Sequence, residues 1–157
     1  MAQPQRPGGF DMGRMTMGQK GLIGAGVLYL ISMFFPWVGA DLGDFGDVLG
    51  IDIPDATANG FAGIGMISGI LVIALLVWEG LVAAGVNVSM GTTSPALIGA
   101  VLGGATALFG VINFLTSLEG LRIGAWLGLV FSIALLYAAY IRFQESKAGG
   151  PAPPPAA

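Results

Sequence analysis

Apolar residues in this chain are gathered into four long runs, and the polar and charged positions sit at their ends. The runs cover residues 21–40, 61–82, 95–116 and 122–142. Each is close to the roughly 20 residues that a helix needs to cross about 30 Å of hydrocarbon. No charged residue falls between Gly80 and Leu118, and the third run lies wholly inside that interval. The pattern predicts an all-α fold, an antiparallel four-helix transmembrane bundle occupying residues 20–143. Residues 1–19, rich in Gly, Pro, Met and Gln, and residues 144–157, rich in Pro and Ala, predict disordered tails. Helix cannot continue past Gly149, because Pro151 and the prolines at 153–155 lack amide donors and clash with a helical backbone.

The run boundaries carry their own markers. Ser94 followed by Pro95 predicts a helix start, with serine as N-cap and proline at the first helical position. Phe34-Phe35-Pro36-Trp37 closes the first run, where proline ends or kinks the helix and Trp37 is expected in an interfacial aromatic belt. Trp126 is expected near the same outer boundary, and Trp78, Tyr137 and Tyr140 near the inner one.

Composition strengthens the membrane reading. The chain is 55% hydrophobic and 10% charged, against about 25% charged in soluble domains. In water such a surface would aggregate, whereas lipid tails solvate it. The absence of cysteine and histidine removes disulfides, thiol nucleophiles, imidazole bases and most zinc or haem ligation. Neither a catalytic base beside a serine, a phosphate loop nor a basic nucleic-acid patch is visible, so the expectation is a non-enzymatic protein without cofactor, bound metal or nucleic-acid partner.

Charge placement sets the expected orientation. Arg6, Arg14 and Lys20 precede the first run and Arg142 and Lys147 follow the fourth, leaving only Arg122 of the six basic residues elsewhere. The loop 41–60 carries Asp41, Asp44, Asp47, Asp52 and Asp55 and no basic residue. Both termini are therefore expected in the cytoplasm and the acidic loop outside, in a multi-pass protein of the cell (inner) membrane. A competing reading takes the first run as a signal peptide cleaved after Ala40. The run is long for that role and Val38-Gly39-Ala40 matches a cleavage site only in part, so a retained anchor is expected.

Small residues recur on one face of each run. Gly99, Gly103, Thr106, Gly110 and Asn113 follow a seven-residue repeat. Gly120, Gly124, Gly128 and Ser132 are spaced by four, as are Gly65 and Gly69, whose stripe continues through Val72 and Leu76 to Glu79. In the first run the stripe is Gly21, Ala25, Leu28 and Ser32. In lipid, helices associate where small residues allow close approach, so these stripes read as packing seams in preference to a pore lining.

Glu79 is the acid inside a hydrophobic run, and Thr106, Asn113 and Ser132 are the other intramembrane polar candidates. A carboxylate at that depth must be protonated, hydrated or paired, and Lys20 and Arg142 lie at similar depth. An ion pair orienting the bundle is the first reading, and a proton- or ion-handling carboxylate the alternative. Asn113 reads as a helix–helix hydrogen-bonding residue, and Glu119 with Arg122 as a local surface pair. The acidic loop could attract a hard cation, but its spacing does not match a calcium loop. A solvated cap is preferred, packed through Phe45, Val48, Leu49, Ile51 and Ile53 on the bundle or a partner.

The exit Leu30-Ile31-Ser32-Met33-Phe34-Phe35-Pro36-Trp37, the outward polar loop, the Trp78-Glu79 ending and Gly124-Ala125-Trp126-Leu127-Gly128-Leu129 resemble those of small bacterial, actinobacterial-type, four-span membrane proteins of uncharacterised function. The resemblance covers residues 20–143 and carries no catalytic residues. The expected role is a structural or accessory subunit whose partners are membrane lipids and other membrane proteins or further copies of itself. A small oligomeric transporter or channel using Glu79 is the alternative.

Overall fold

The computed structural model describes residues 12–40, 42–50, 56–88 and 90–149. It is mostly helical, in the order α1 (Met17–Ser32), β1 (Pro36–Ala40), α2 (Gly43–Leu49), β2 (Ala56–Asn59), α3 (Gly65–Ala83), α4 (Pro95–Thr116) and α5 (Ile123–Ala148). Three of these, α3, α4 and α5, have the length and apolarity to cross a membrane.

The start of α4 follows from local chemistry. Ser94 is extended and its hydroxyl accepts from Leu97 N–H at 3.2 Å, and Pro95 occupies the first turn, where its missing N–H costs nothing. The first apolar run departs from its expected form. A single helix over 21–40 is replaced by α1, which stops at Ser32, and by β1, which uses the rest of the run. Pro36 disfavours helix at the residue before it, and the carbonyls freed at the end of α1 find other donors. Trp37 Nε1 donates to Ser32 O at 2.9 Å and Gly60 N–H to Met33 O at 2.8 Å. The 16 residues of α1 span about 24 Å.

β1 pairs antiparallel with β2, Val38 opposite Ala58 and Ala40 opposite Ala56, with an irregularity between Pro36 and Val38. The other edge of β1 is held by Gly39 N–H to Gly120 O and Arg122 N–H to Trp37 O, both at 2.9 Å. Part of the expected acidic loop is thus a short helix and a paired strand. Val48 and Leu49, expected to pack, are exposed on α2. Helix also enters both ranges expected to be tails. Thr16 caps α1, Gly18 and Gln19 are buried, and α5 runs to Ala148. The expectations for residues 1–11 and 150–157, and for packing by the Phe45 side chain, Ile51 and Ile53, lie outside the described residues.

The helix contacts sort into two ends. One gathers the start of α1, the end of α3, the start of α4 and the end of α5 through Glu79, Arg142 and a Trp78 Nε1 bond to Pro95 O at 3.1 Å. The other gathers Met33, Gly60, Asn113 and the Trp37 ring. Between them lies a core of Leu22, Tyr29, Val72, Leu75, Ala107 and Leu135.

Candidate functional site

At the first end Arg142 reaches from α5 across to Glu79 on α3. Its Nε donates to Glu79 Oε1 at 3.1 Å and its Nη2 to Oε2 at 3.2 Å, a two-pronged bond that matches the planar guanidinium to the carboxylate. Glu79 is 0% exposed and Arg142 5%. The third guanidinium nitrogen, Nη1, donates to Thr16 Oγ1 at 3.0 Å and to Glu145 Oε2 at 3.1 Å. Thr16 in turn donates to Glu145 Oε2 at 2.7 Å and accepts the Gln19 amide, while Gly18 N–H donates to Glu145 Oε1 at 2.9 Å. Gln19 Nε2 donates to the Glu79 backbone carbonyl at 3.2 Å. The start of α1, the end of α3 and the end of α5 are therefore tied through one network, buried at Glu79, Arg142 and Gln19 and open to solvent at Thr16. Burying two charges is tolerable because the remaining donors and acceptors are bonded as well.

Glycine makes the room. A Cβ on Gly99 would fall on Glu79 Oε1, and one on Gly18 would come within 2.8 Å of the Arg142 amide and of Glu145. The Gly99 end of the α4 stripe is thus a notch for a carboxylate. Lys20, one of the two cations expected near Glu79, is exposed, and Arg142 takes the role alone in the pair. Thr16, Gln19 and Glu145 were missed, because they fall in segments whose composition reads as tail. The cue available was Thr16 followed three residues later by Gln19, the spacing of a capping box.

At the second end Trp37, expected in an interfacial aromatic belt, is 1% exposed and packs inside the fold. Its ring fills a slot made by Gly60, Gly124 and Gly128, whose missing side chains would each collide with it, and its edge meets Tyr29 at 6.3 Å and 89°. Gly124 and Gly128 thus serve an aromatic plug. Gly65 lies against the Gly60 carbonyl and Asn113, Gly69 against the Phe61 ring, and Gly103 against Leu22 of α1. Gly120 is not in the helix. It adopts φ +77° in the turn before α5 and lies against the Gly39 carbonyl, which requires glycine on both counts. In α1 the buried face is Gly18, Leu22, Gly26, Tyr29 and Ser32, and Leu28 of the expected stripe points outward.

The polar residues expected within the membrane are not gathered into one site. Thr106 Oγ1 donates to Leu102 O at 2.8 Å within its own helix. Asn113 Nδ2 donates to Gly60 O at 3.4 Å, ahead of α3 and not on a second long helix. Ser132 is fully buried, facing Gly110 and the side of α1 that carries Tyr29, whose hydroxyl is bonded to Ser68. In the acidic segment Asp47 is exposed on α2, while Asp41, Asp52 and Asp55 and the side chain of Asp44 lie outside the described residues. Among the described residues no three carboxylates converge as metal ligands. Glu119 is exposed, and the Arg122 side chain crosses Gly39.

Comparison with known protein families, characterised proteins and solved structures finds no match. The resemblance drawn from residues 20–143 therefore stands on those residues alone.

Proposed function

We propose that the chain is a four-span antiparallel bundle in the cell membrane, both termini cytoplasmic, acting as a non-enzymatic structural or accessory subunit of a membrane complex. Supporting the four-span count is the alternation of helix ends, with the starts of α1 and α4 beside the ends of α3 and α5 at Glu79. α1 is short for a span, but its N-cap at Thr16 and the Trp37 plug connect the same two ends that α3, α4 and α5 connect.

The observation that carries the subunit reading is the closure of the Glu79–Arg142 pair. Its polar atoms bond one another and three chain segments, which suits a clasp that fixes helix order. A transport role would require the Glu79 carboxylate to meet water, and the Gly99 backbone and the Arg142 guanidinium enclose it. Outward-facing residues such as Ile70, Val77, Val101, Leu108 and Val130 are apolar and more than half exposed, as a lipid- or protein-facing surface requires.

The chain has no cysteine, so single cysteines report topology cleanly. Ala148→Cys is expected to label only from the cytoplasmic face and Asp47→Cys only from the opposite one. Pull-down of the full chain in mild detergent, with mass spectrometry, is expected to return a stoichiometric membrane partner or a homo-oligomer. Ion or proton flux in liposomes that is lost in Glu79→Gln, with complex assembly intact, would refute the clasp reading in favour of transport.

A further inference from the structure

We propose that the groove between α4 and α5, at the end that carries Lys147, seats one anionic phospholipid, with an acyl chain in the groove and the phosphate at Lys147. The groove has a volume of about 620 Å³ and is walled by Val101 and Gly104 of α4 and by Ile133, Leu136 and Tyr137 of α5. Its walls are apolar side chains that the rest of the described fold leaves uncovered.

Gly104 sets the groove apart from the packing seams. On the same helix, Gly99, Gly103 and Gly110 are each blocked by a side chain of another helix, so each is explained by close approach. A Cβ on Gly104 would meet nothing within 4 Å. Glycine in a helix interior carries a conformational cost, and Gly104, like Gly24 and Gly80, has no contact within the described fold that requires it. What the missing side chain does is deepen the groove.

Polar groups and one ammonium stand beside the Phe143 end of the groove. Tyr140 and Phe143 line it; Gln144 Nε2 donates to the Tyr140 hydroxyl at 2.8 Å, and the Lys147 ammonium stands 4.4 Å from the centre of the Phe143 ring. This order from apolar groove to aromatic ring to hydroxyl and ammonium follows the order of a phospholipid from chain to head. Arg142 is already engaged by two carboxylates, Glu79 and Glu145, whereas among the described residues the contact of Lys147 is the Phe143 ring. A lipid phosphate supplies the charge, so charge complementarity selects the anionic lipid.

The inference rests on membrane insertion and not on the accessory role. The test is native mass spectrometry of the detergent-purified full chain, titrated with phosphatidylglycerol, phosphatidylcholine or free glycerol phosphate. One phosphatidylglycerol is expected to be retained in preference to phosphatidylcholine, and glycerol phosphate is not expected to bind. Lys147→Gln should weaken retention about fivefold, the contribution of one basic residue at an anionic surface. Gly104→Leu, which fills the groove at an open position, should abolish it while Lys147→Gln keeps the groove intact. Equal retention of both lipids by wild type and both variants would overturn the seat, as would a lipid-independent dimer lost in Gly104→Leu. Absence of the chain from membrane fractions would instead defeat membrane insertion itself.

Discussion

Removing the guanidinium of Arg142 alone is expected to cost more than removing Arg142 and Glu79 together. In Arg142→Met, Glu79 stays 0% exposed with the Gly99 backbone against its Oε1, and it loses both hydrogen bonds, of 3.1 and 3.2 Å. Stranding one member of a buried ion pair costs about 3–5 kcal/mol. That is a large share of a total stability of about 5–15 kcal/mol. Glu79→Leu strands Arg142 in the same way, although Glu145 and Thr16 still hold one nitrogen. The double variant leaves no buried charge at the clasp, and exchanging a whole buried pair for apolar side chains is close to neutral or stabilising. What it also loses is the Arg142 bond to Glu145, whose side chain is 24% exposed and can turn to water, worth about 1 kcal/mol or less. The double-mutant cycle should therefore show coupling of about 3 kcal/mol or more. Reversible unfolding in mixed micelles, followed by tryptophan fluorescence with Trp37 as the buried reporter, measures all four species. Single-variant costs that add to within about 0.5 kcal/mol would refute the pair as a coupled clasp.

Further outcomes follow from the packing. Gly128→Ala places a methyl into the Trp37 ring and should cost about 1–3 kcal/mol. Gly24→Ala, with open space at its Cβ, should be neutral or gain up to about 1 kcal/mol in the same assay. Tyr29→Phe removes the partner of the buried Ser68 hydroxyl and should cost about 1–3 kcal/mol, much of it recovered when Ser68→Ala is added. Ser94→Ala deletes the cap on Leu97 N–H and should cost about 1 kcal/mol, seen as faster amide exchange in the first turn of α4.

The apolar runs already mark where long helices form, and that holds for α3, α4 and α5. Length and hydrophobicity act residue by residue, and so do the Ser94 cap and the Pro95 start, which bond to atoms only a few positions away. The faces were legible where a stripe is long and strictly periodic. Gly99, Gly103, Thr106, Gly110 and Asn113 are all buried on α4. In α1 the expected stripe shares Ser32 with the buried line through Gly18, Leu22, Gly26 and Tyr29, whereas its Leu28 is exposed.

What only the tertiary structure decided is what each stripe packs against. The first run has the composition of a span through Ala40 and ends as helix at Ser32; Pro36 marks that end locally, but the slot that Trp37 fills has walls, Gly60, Gly124 and Gly128, far away along the chain. Glu79 announced that it needed a partner. Choosing Arg142 over Lys20, and drawing Thr16, Gln19 and Glu145 out of segments that read as tails, depended on helix ends meeting in space. Periodicity and propensity are local quantities. A buried charge is satisfied by whatever donors the fold brings within about 3 Å, and its neighbours in sequence do not specify them.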